Sequence, residues 1–145
     1  MLYWSWDPSL SVGIDVIDSQ HLRIIDYINE LSVARNEKNK EDVTQILMNL
    51  VDYTTTHFAF EEELMKNAGY PLSDSHKKVH EAFISNINNL VRQHEEGRDV
   101  TGKLMSTLQI WLTNHIKRDD KDYAPYASKM LNPGWLKKTL GRFFG

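Results

Sequence analysis

The run His57-Phe58-Ala59-Phe60-Glu61, followed by Gly69-Tyr70-Pro71 and then His76-Lys77-Lys78-Val79-His80, decides how this chain folds. Residues four apart share one face of a helix. His57 therefore points the same way as Glu61, and His76 the same way as His80. Gly69 suits the residue just past a helix end, and Pro71 cannot continue that helix. The stretch reads as two antiparallel helices with four metal-type side chains on their facing surfaces.

Working outward, the first of these helices extends over 41–68. Its inward positions are Val43, Leu47, Leu50, Thr54, His57, Glu61, Leu64 and Ala68, at unbroken steps of four and three. Such spacing is the seam of a helix bundle. The second helix covers 73–96, with His76, His80, Phe83, Ile87 and Leu90 inward. A helix over 18–36, capped by Asp18 or Ser19, carries His21, Ile25 and Ile28 on its buried stripe. A helix over 100–121, capped by Asp99, carries Leu104, Leu108, Trp111 and His115. Antiparallel alternation brings His21, His57, His76, His80 and His115 to one level. The fold class is all-α: an antiparallel up-down-up-down four-helix bundle. The bundle occupies 1–131, including an ordered non-helical arm over 1–17 that lays Trp4 and Trp6 on the core. A short C-terminal helical tail, basic and aromatic, occupies 132–145.

The totals exclude several function classes. At 145 residues the chain has the length of one domain with a real core. A formal net charge of −3 argues against nucleic acid as a partner. There is no cysteine, which removes disulfides, thiolate metal sites and a cysteine nucleophile together. No run approaches the length of a membrane span. The first residues, Met1 to Asp7, lack the basic and apolar regions of a signal peptide, so a cytoplasmic protein is expected.

Burying one unpaired imidazole or carboxylate costs several kcal/mol. Five histidines and at least two acids at one level of one core therefore call for a metal. The set His21, His57, Glu61, His76, His80, His115 and an acid after His115 exceeds what one tetrahedral zinc accepts. It suits two octahedral ions sharing carboxylates, and the donor types suit iron, manganese or zinc. For the last acid, a straight helix favours Asp119, four residues after His115. Asp120, five after, requires a wider turn such as a π-bulge. His94 fits the seam by number, but it lies at the far end of its helix without a partner acid and reads as a helix-terminal residue.

Val12-Gly13-Ile14-Asp15, Ile17-Asp18-x-Gln20-His21, His57-x-x-x-Glu61-Glu62, His76-x-x-x-His80 and His115-x-x-x-x-Asp120 form a specific combination. In it the chain resembles the hemerythrin family in its single-domain bacterial form. Myohemerythrin is a known example of the bundle architecture. The resemblance selects Asp120 over Asp119. It implies one iron on His76, His80 and His115 and a second on His21 and His57, bridged by Glu61, Asp120 and an oxo or hydroxo group. It implies a dioxygen pocket lined by Ile24, Phe58, Trp111, Leu112 and Ile116. The expected function is reversible binding of dioxygen for carriage, storage or delivery, by a monomer that is not primarily an enzyme. The competing readings are a sensor acting through a separate partner and a di-iron redox enzyme (peroxidase, nitric oxide reduction or iron donation). Oxygen-activating di-iron bundles use mainly carboxylates. Five neutral imidazoles favour reversible binding over activation.

In the tail, Trp135, Leu136, Leu140, Phe143 and Phe144 alternate with Lys137, Lys138 and Arg142 like a short interfacial helix. This raises the expectation of contact with a membrane or an oxidase through 134–145. The plainer expectation, a helix folded back over the bundle end, is the favoured one.

Overall fold

The computed structural model describes residues 2–145; Met1, the first residue of the expected arm, lies outside the described residues. The helices are α1 (Asp15–Asn36), α2 (Lys40–Asn67), α3 (Ser73–Glu95), α4 (Thr101–His115), α5 (Lys121–Ser128) and α6 (Pro133–Phe144). A five-residue π-helical segment, Ile116–Asp120, joins α4 to α5 without a break. α1 to α4 form the up-down-up-down bundle, and no strand occurs among the described residues.

The arm is irregular apart from one short 3-10 turn, Pro8–Leu10, capped by the Asp7 carboxylate accepting from the Ser9 amide. Asn29 clamps it to α1. Its side chain accepts from the Trp4 amide at 2.9 Å and donates to the Trp4 carbonyl at 2.8 Å. α1 starts at Asp15, three residues before the expected 18. The reason is that the Asp18 carboxylate is engaged by the arm: it accepts from Ser11 Oγ at 2.5 Å and from the Val12 amide at 2.9 Å. Asp18 thus lies inside the first turn, where its charge still suits the helix dipole.

The turn after α2 has a specific bond pattern. Gly69 has a φ of 69° and its amide donates to Lys66, while the Tyr70 amide reaches back to Met65 at 3.1 Å. This pair of bonds is a Schellman motif, which satisfies the last carbonyls and ends the helix. Gly97, with φ 90°, closes α3 in the same way through Arg98 and Gln93.

The last bundle helix runs past the expected 121 to Ser128, with Pro125 inside it. Pro125 removes one backbone hydrogen bond. Burial of Tyr123, Ala124 and Ala127 on either side of it outweighs that loss.

Two apolar clusters make up the core. One, mainly aliphatic, includes Leu31, Leu47, Leu50, Leu90, Leu104 and Leu108 and extends to Ile24, Phe58 and Ile116. The other holds Ile14, Ile17, Phe60, Leu64, Met65, Tyr70 and Tyr123. Along α2 the seam passes from Leu50 in the first cluster, through His57 and Glu61, to Leu64 in the second.

α6 folds back against α2. Asn132 caps it and Pro133 takes the first helical position. The rings of Trp135, Phe143 and Phe144 surround Phe60 at 6.2, 6.1 and 6.0 Å between centroids. Arg142 pairs with Glu63 at 3.2 Å. The apolar side chains of the tail pack on the bundle, while Lys137 and Lys138 are exposed. Among the described residues, no helix is long and apolar enough to cross a membrane.

Candidate metal centre

Every side chain expected as a ligand arrives at one level of the bundle. α1 supplies His21, α2 His57 and Glu61, α3 His76 and His80, α4 His115, and the π segment Asp120. All are between 0 and 5 % exposed. They form two groups. Ligand atoms of His76, His80, His115 and Asp120 lie within 4.8 Å of one another, and so do those of His21, His57 and Glu61.

The two carboxylates join the groups. Asp120 Oδ1 lies 3.2 Å from Nε2 of both His76 and His115, while its Oδ2 lies 3.2 Å from His21 Nε2. Glu61 Oε1 lies 3.0 Å from His57 Nε2 and 3.6 Å from His80 Nε2. Each acid therefore touches imidazoles of both groups.

The choice between Asp119 and Asp120 is decided by the backbone. The π segment adds one residue to the turn, with the Lys121 amide donating to the Ile116 carbonyl five residues back. Asp120 thereby faces inward and is fully buried. Asp119 turns outward of the ring and accepts from His115 Nδ1 at 2.9 Å. His94 stands away from the group and contacts Thr44 Oγ1 at 3.0 Å.

A layer that spacing did not identify surrounds the imidazoles. His57 Nδ1 is 2.6 Å from Gln20 Oε1, and His80 Nδ1 is 2.8 Å from Glu62 Oε2. With Asp119 on His115, three rings donate Nδ1–H outward, which leaves each Nε2 lone pair pointing inward. The Tyr123 hydroxyl donates to Glu61 Oε2 at 2.5 Å. Gln20 and Glu62 each adjoin a ligand in sequence. Both also stand in the motifs that carry the family resemblance, but neither signal says which ring they meet.

The electrostatics explain why the two carboxylates stay charged in a dry core. Burial and the nearby Asp120 carboxylate push Glu61 up, but the His57 and His80 imidazoles more than offset them and leave it at about 2. Burial likewise raises Asp120, and His115, His21 and His76 pull it well below the ordinary aspartate value. Burial lowers His80. It would lower His115 too, but the Asp120 carboxylate reverses the direction. Burial and the Glu61 and Asp120 charges hold Tyr123 well above the usual phenol value, so it remains a donor.

The donors fit a metal. Nε2 of His21, His57 and His76, Oε1 of Glu61 and both Asp120 oxygens are buried without a hydrogen-bond partner. They lie close together but are not aligned as hydrogen bonds. His80 Nε2 and His115 Nε2 face each other at 3.0 Å, where only one proton can serve both. Each orphaned buried group costs about 1–3 kcal/mol, and a cation in each of the two groups would satisfy them together.

Aromatic rings wall the three-histidine group. Phe58 stacks on His80 at 3.9 Å, and Trp111 stacks on His115 at 4.4 Å and on Phe83 at 3.7 Å. Ile24, Phe58, Leu112 and Ile116 are buried in one apolar cluster, with half-buried Trp111 packed against it. A cleft of about 460 Å³ between α2 and α3 reaches Phe58, Glu62 and His80 from the surface. A larger one, about 530 Å³, lies around Arg35, His94 and Arg98, away from these ligands. The former meets the centre at His80, and the residues with orphaned atoms line neither cleft.

The chain matches the Hemerythrin HHE cation binding domain over residues 12–127. It is 45% identical to a bacteriohemerythrin of Stenotrophomonas maltophilia, across 97% of each chain. It is 40% identical to a bacteriohemerythrin of Pseudomonas aeruginosa, across 100% of each. A crystal structure of wild-type hemerythrin superposes with a TM-score of 0.81 at 28% identity, covering 87% of this chain and 98% of that one.

Proposed function

The chain belongs to the hemerythrin family, and from that premise we propose that it binds dioxygen reversibly at a non-haem di-iron centre, for oxygen carriage, storage or delivery. His76, His80 and His115 would hold one iron and His21 and His57 the other, with Glu61 and Asp120, which touch imidazoles of both groups, serving both. Such a centre, when loaded, supplies the electrons and the open coordination position that dioxygen binding requires.

The protein's own groups prepare that position. Ile24, Phe58, Trp111, Leu112 and Ile116 exclude water, and Phe58 and Trp111 anchor the His80 and His115 rings they stack on. Gln20, Glu62 and Asp119 fix the direction of His57, His80 and His115. Tyr123 holds its proton on Glu61 Oε2 and keeps that carboxylate oriented. The single observation carrying the reading is the set of buried, partnerless Nε2 and carboxylate oxygen atoms converging from α1, α2, α3 and the π segment.

The test is the iron count per chain together with stopped-flow mixing of the ferrous protein with dioxygen. Two irons and a visible band that forms in air and disappears under vacuum support reversible binding. Immediate irreversible oxidation would overturn it in favour of redox turnover.

A further inference from the structure

The two halves of the centre are not built alike, and this deepens the di-iron reading on which it rests. Four ligand residues converge in the group of His76, His80, His115 and Asp120, against three in the group of His21, His57 and Glu61. The outer layer differs more. Two imidazoles of the first group are backed by carboxylates, Glu62 on His80 and Asp119 on His115. In the second group His57 is backed by a neutral amide, Gln20, and His21 Nδ1 is buried with no partner.

We propose that the halves load in order: the His76–His80–His115 half takes the first divalent ion, the His21–His57 half takes the second more weakly, and Gln20 sets the gap between them. A carboxylate accepting from Nδ1–H polarises an imidazole more than an amide does, so its Nε2 becomes a stronger donor. The His21 ring has no outer hydrogen bond to hold it, and a metal must order it on binding. Gln20 also leaves its own amide nitrogen buried and unpartnered. A carboxylate at that position would receive the same His57 bond but would bury a charge beside an unpartnered second oxygen. The amide gives His57 the weaker kind of outer partner. Glu62, Asp119 and Gln20 are positioning residues: they touch imidazoles, not the ion.

The experiment is anaerobic titration of the metal-free full chain with Co²⁺, followed by calorimetry and by the visible bands of bound Co²⁺. Two separate steps are expected, the first at least about tenfold tighter. Glu62→Gln and Asp119→Asn each weaken the first step by about 10–100-fold and leave the second within a few-fold. Gln20→Glu tightens the second step by a comparable factor and narrows the gap. These near-isosteric changes are checked for retained helicity by circular dichroism before titration. A single cooperative two-ion step overturns the proposal, as does a second step that ignores Gln20→Glu or that answers to Glu62→Gln instead of the first. Failure to bind Co²⁺ and Fe²⁺ at all overturns the di-iron reading itself, which keeps the two failures distinct.

Discussion

The two ends of the bundle use one periodicity for opposite purposes. At one end the seam positions are Leu47, Leu50, Leu90, Leu104 and Leu108, and their burial stabilises the fold. At the other end the same steps of four and three place His57, Glu61, His76, His80 and His115. Without a metal, those side chains leave orphaned polar atoms in the core. The contrast teaches that the helix pattern specifies the architecture and leaves the chemistry to the residues placed on it. One end can carry unfavourable burial because the other, and the second apolar cluster beneath it, hold the helices in register.

The largest effect that could break this comparison is expected at Asp120. Its two oxygens face different groups, Oδ1 towards His76 and His115 and Oδ2 towards His21. Asp120→Asn replaces one of those oxygens with a donor that cannot bind a cation. Iron is expected to fall from two per chain to below one, measured by elemental analysis, while far-ultraviolet circular dichroism stays helical. Retention of two irons would remove Asp120 as a bridge.

The opposite substitution tests the aliphatic end. Leu50 is fully buried, and Leu50→Ala is expected to lower unfolding stability by about 2–5 kcal/mol, read by urea denaturation of the metal-free chain. Iron per chain should remain two. Acid separates the ends further. Glu61 and Asp120 have folded-state pKa values below their unfolded ones. Their contribution to the metal-free fold is present above the ordinary carboxylate range and is lost as pH falls through it, towards about 2 for Glu61. The cost of Leu50→Ala should not change over the same range. A pH-dependent Leu50→Ala penalty would show that the ends are coupled.

Removing residues 134–145 is expected to have a smaller effect, a loss of about 2–4 kcal/mol. It strips the aromatic cover from Phe60 while leaving the ligands in place. The readouts are the melting temperature and co-sedimentation with anionic vesicles. A lowered melting temperature with unchanged vesicle binding fits a tail that serves the fold. Vesicle binding that disappears with an unchanged melting temperature would assign the tail to a surface instead.

What could be read in the chain and what could not divide along physical lines. The seam was legible because burial follows the helical repeat, and the common level of five histidines follows from antiparallel alternation alone. The π segment was not: residue counting assumes a regular helix, so spacing favoured Asp119, and only the family motif pointed to Asp120. The start of α1 was misplaced because Asp18 has the chemistry of a cap, yet its carboxylate is taken by Ser11 and Val12 of the arm. α5 was hidden behind Pro125, whose cost is overridden by the burial of Tyr123 and Ala127. The outer partners Gln20, Glu62 and Tyr123 depend on how far each side chain reaches across to another helix, and a one-dimensional pattern carries no such information.

Tyr123 provides the finest test of the contrast, because it belongs to the apolar cluster under the centre and yet touches a ligand. Its ring is fully buried and its hydroxyl donates to Glu61 Oε2. Tyr123→Phe preserves the packing and removes only that bond. An acceptor left unsatisfied in a core costs about 1–3 kcal/mol, but here the metal-loaded and metal-free chains should differ. Without metal, both oxygens of Glu61 are then without a hydrogen bond, and the full loss is expected. With both half-sites filled, Glu61 remains anchored by the cations, and the loss should shrink to below about 1 kcal/mol. Thermal unfolding of the two forms, wild type against variant, measures the difference. An equal loss in both would mean that Tyr123 stabilises the lower cluster by itself and that Glu61 gains nothing from the metal.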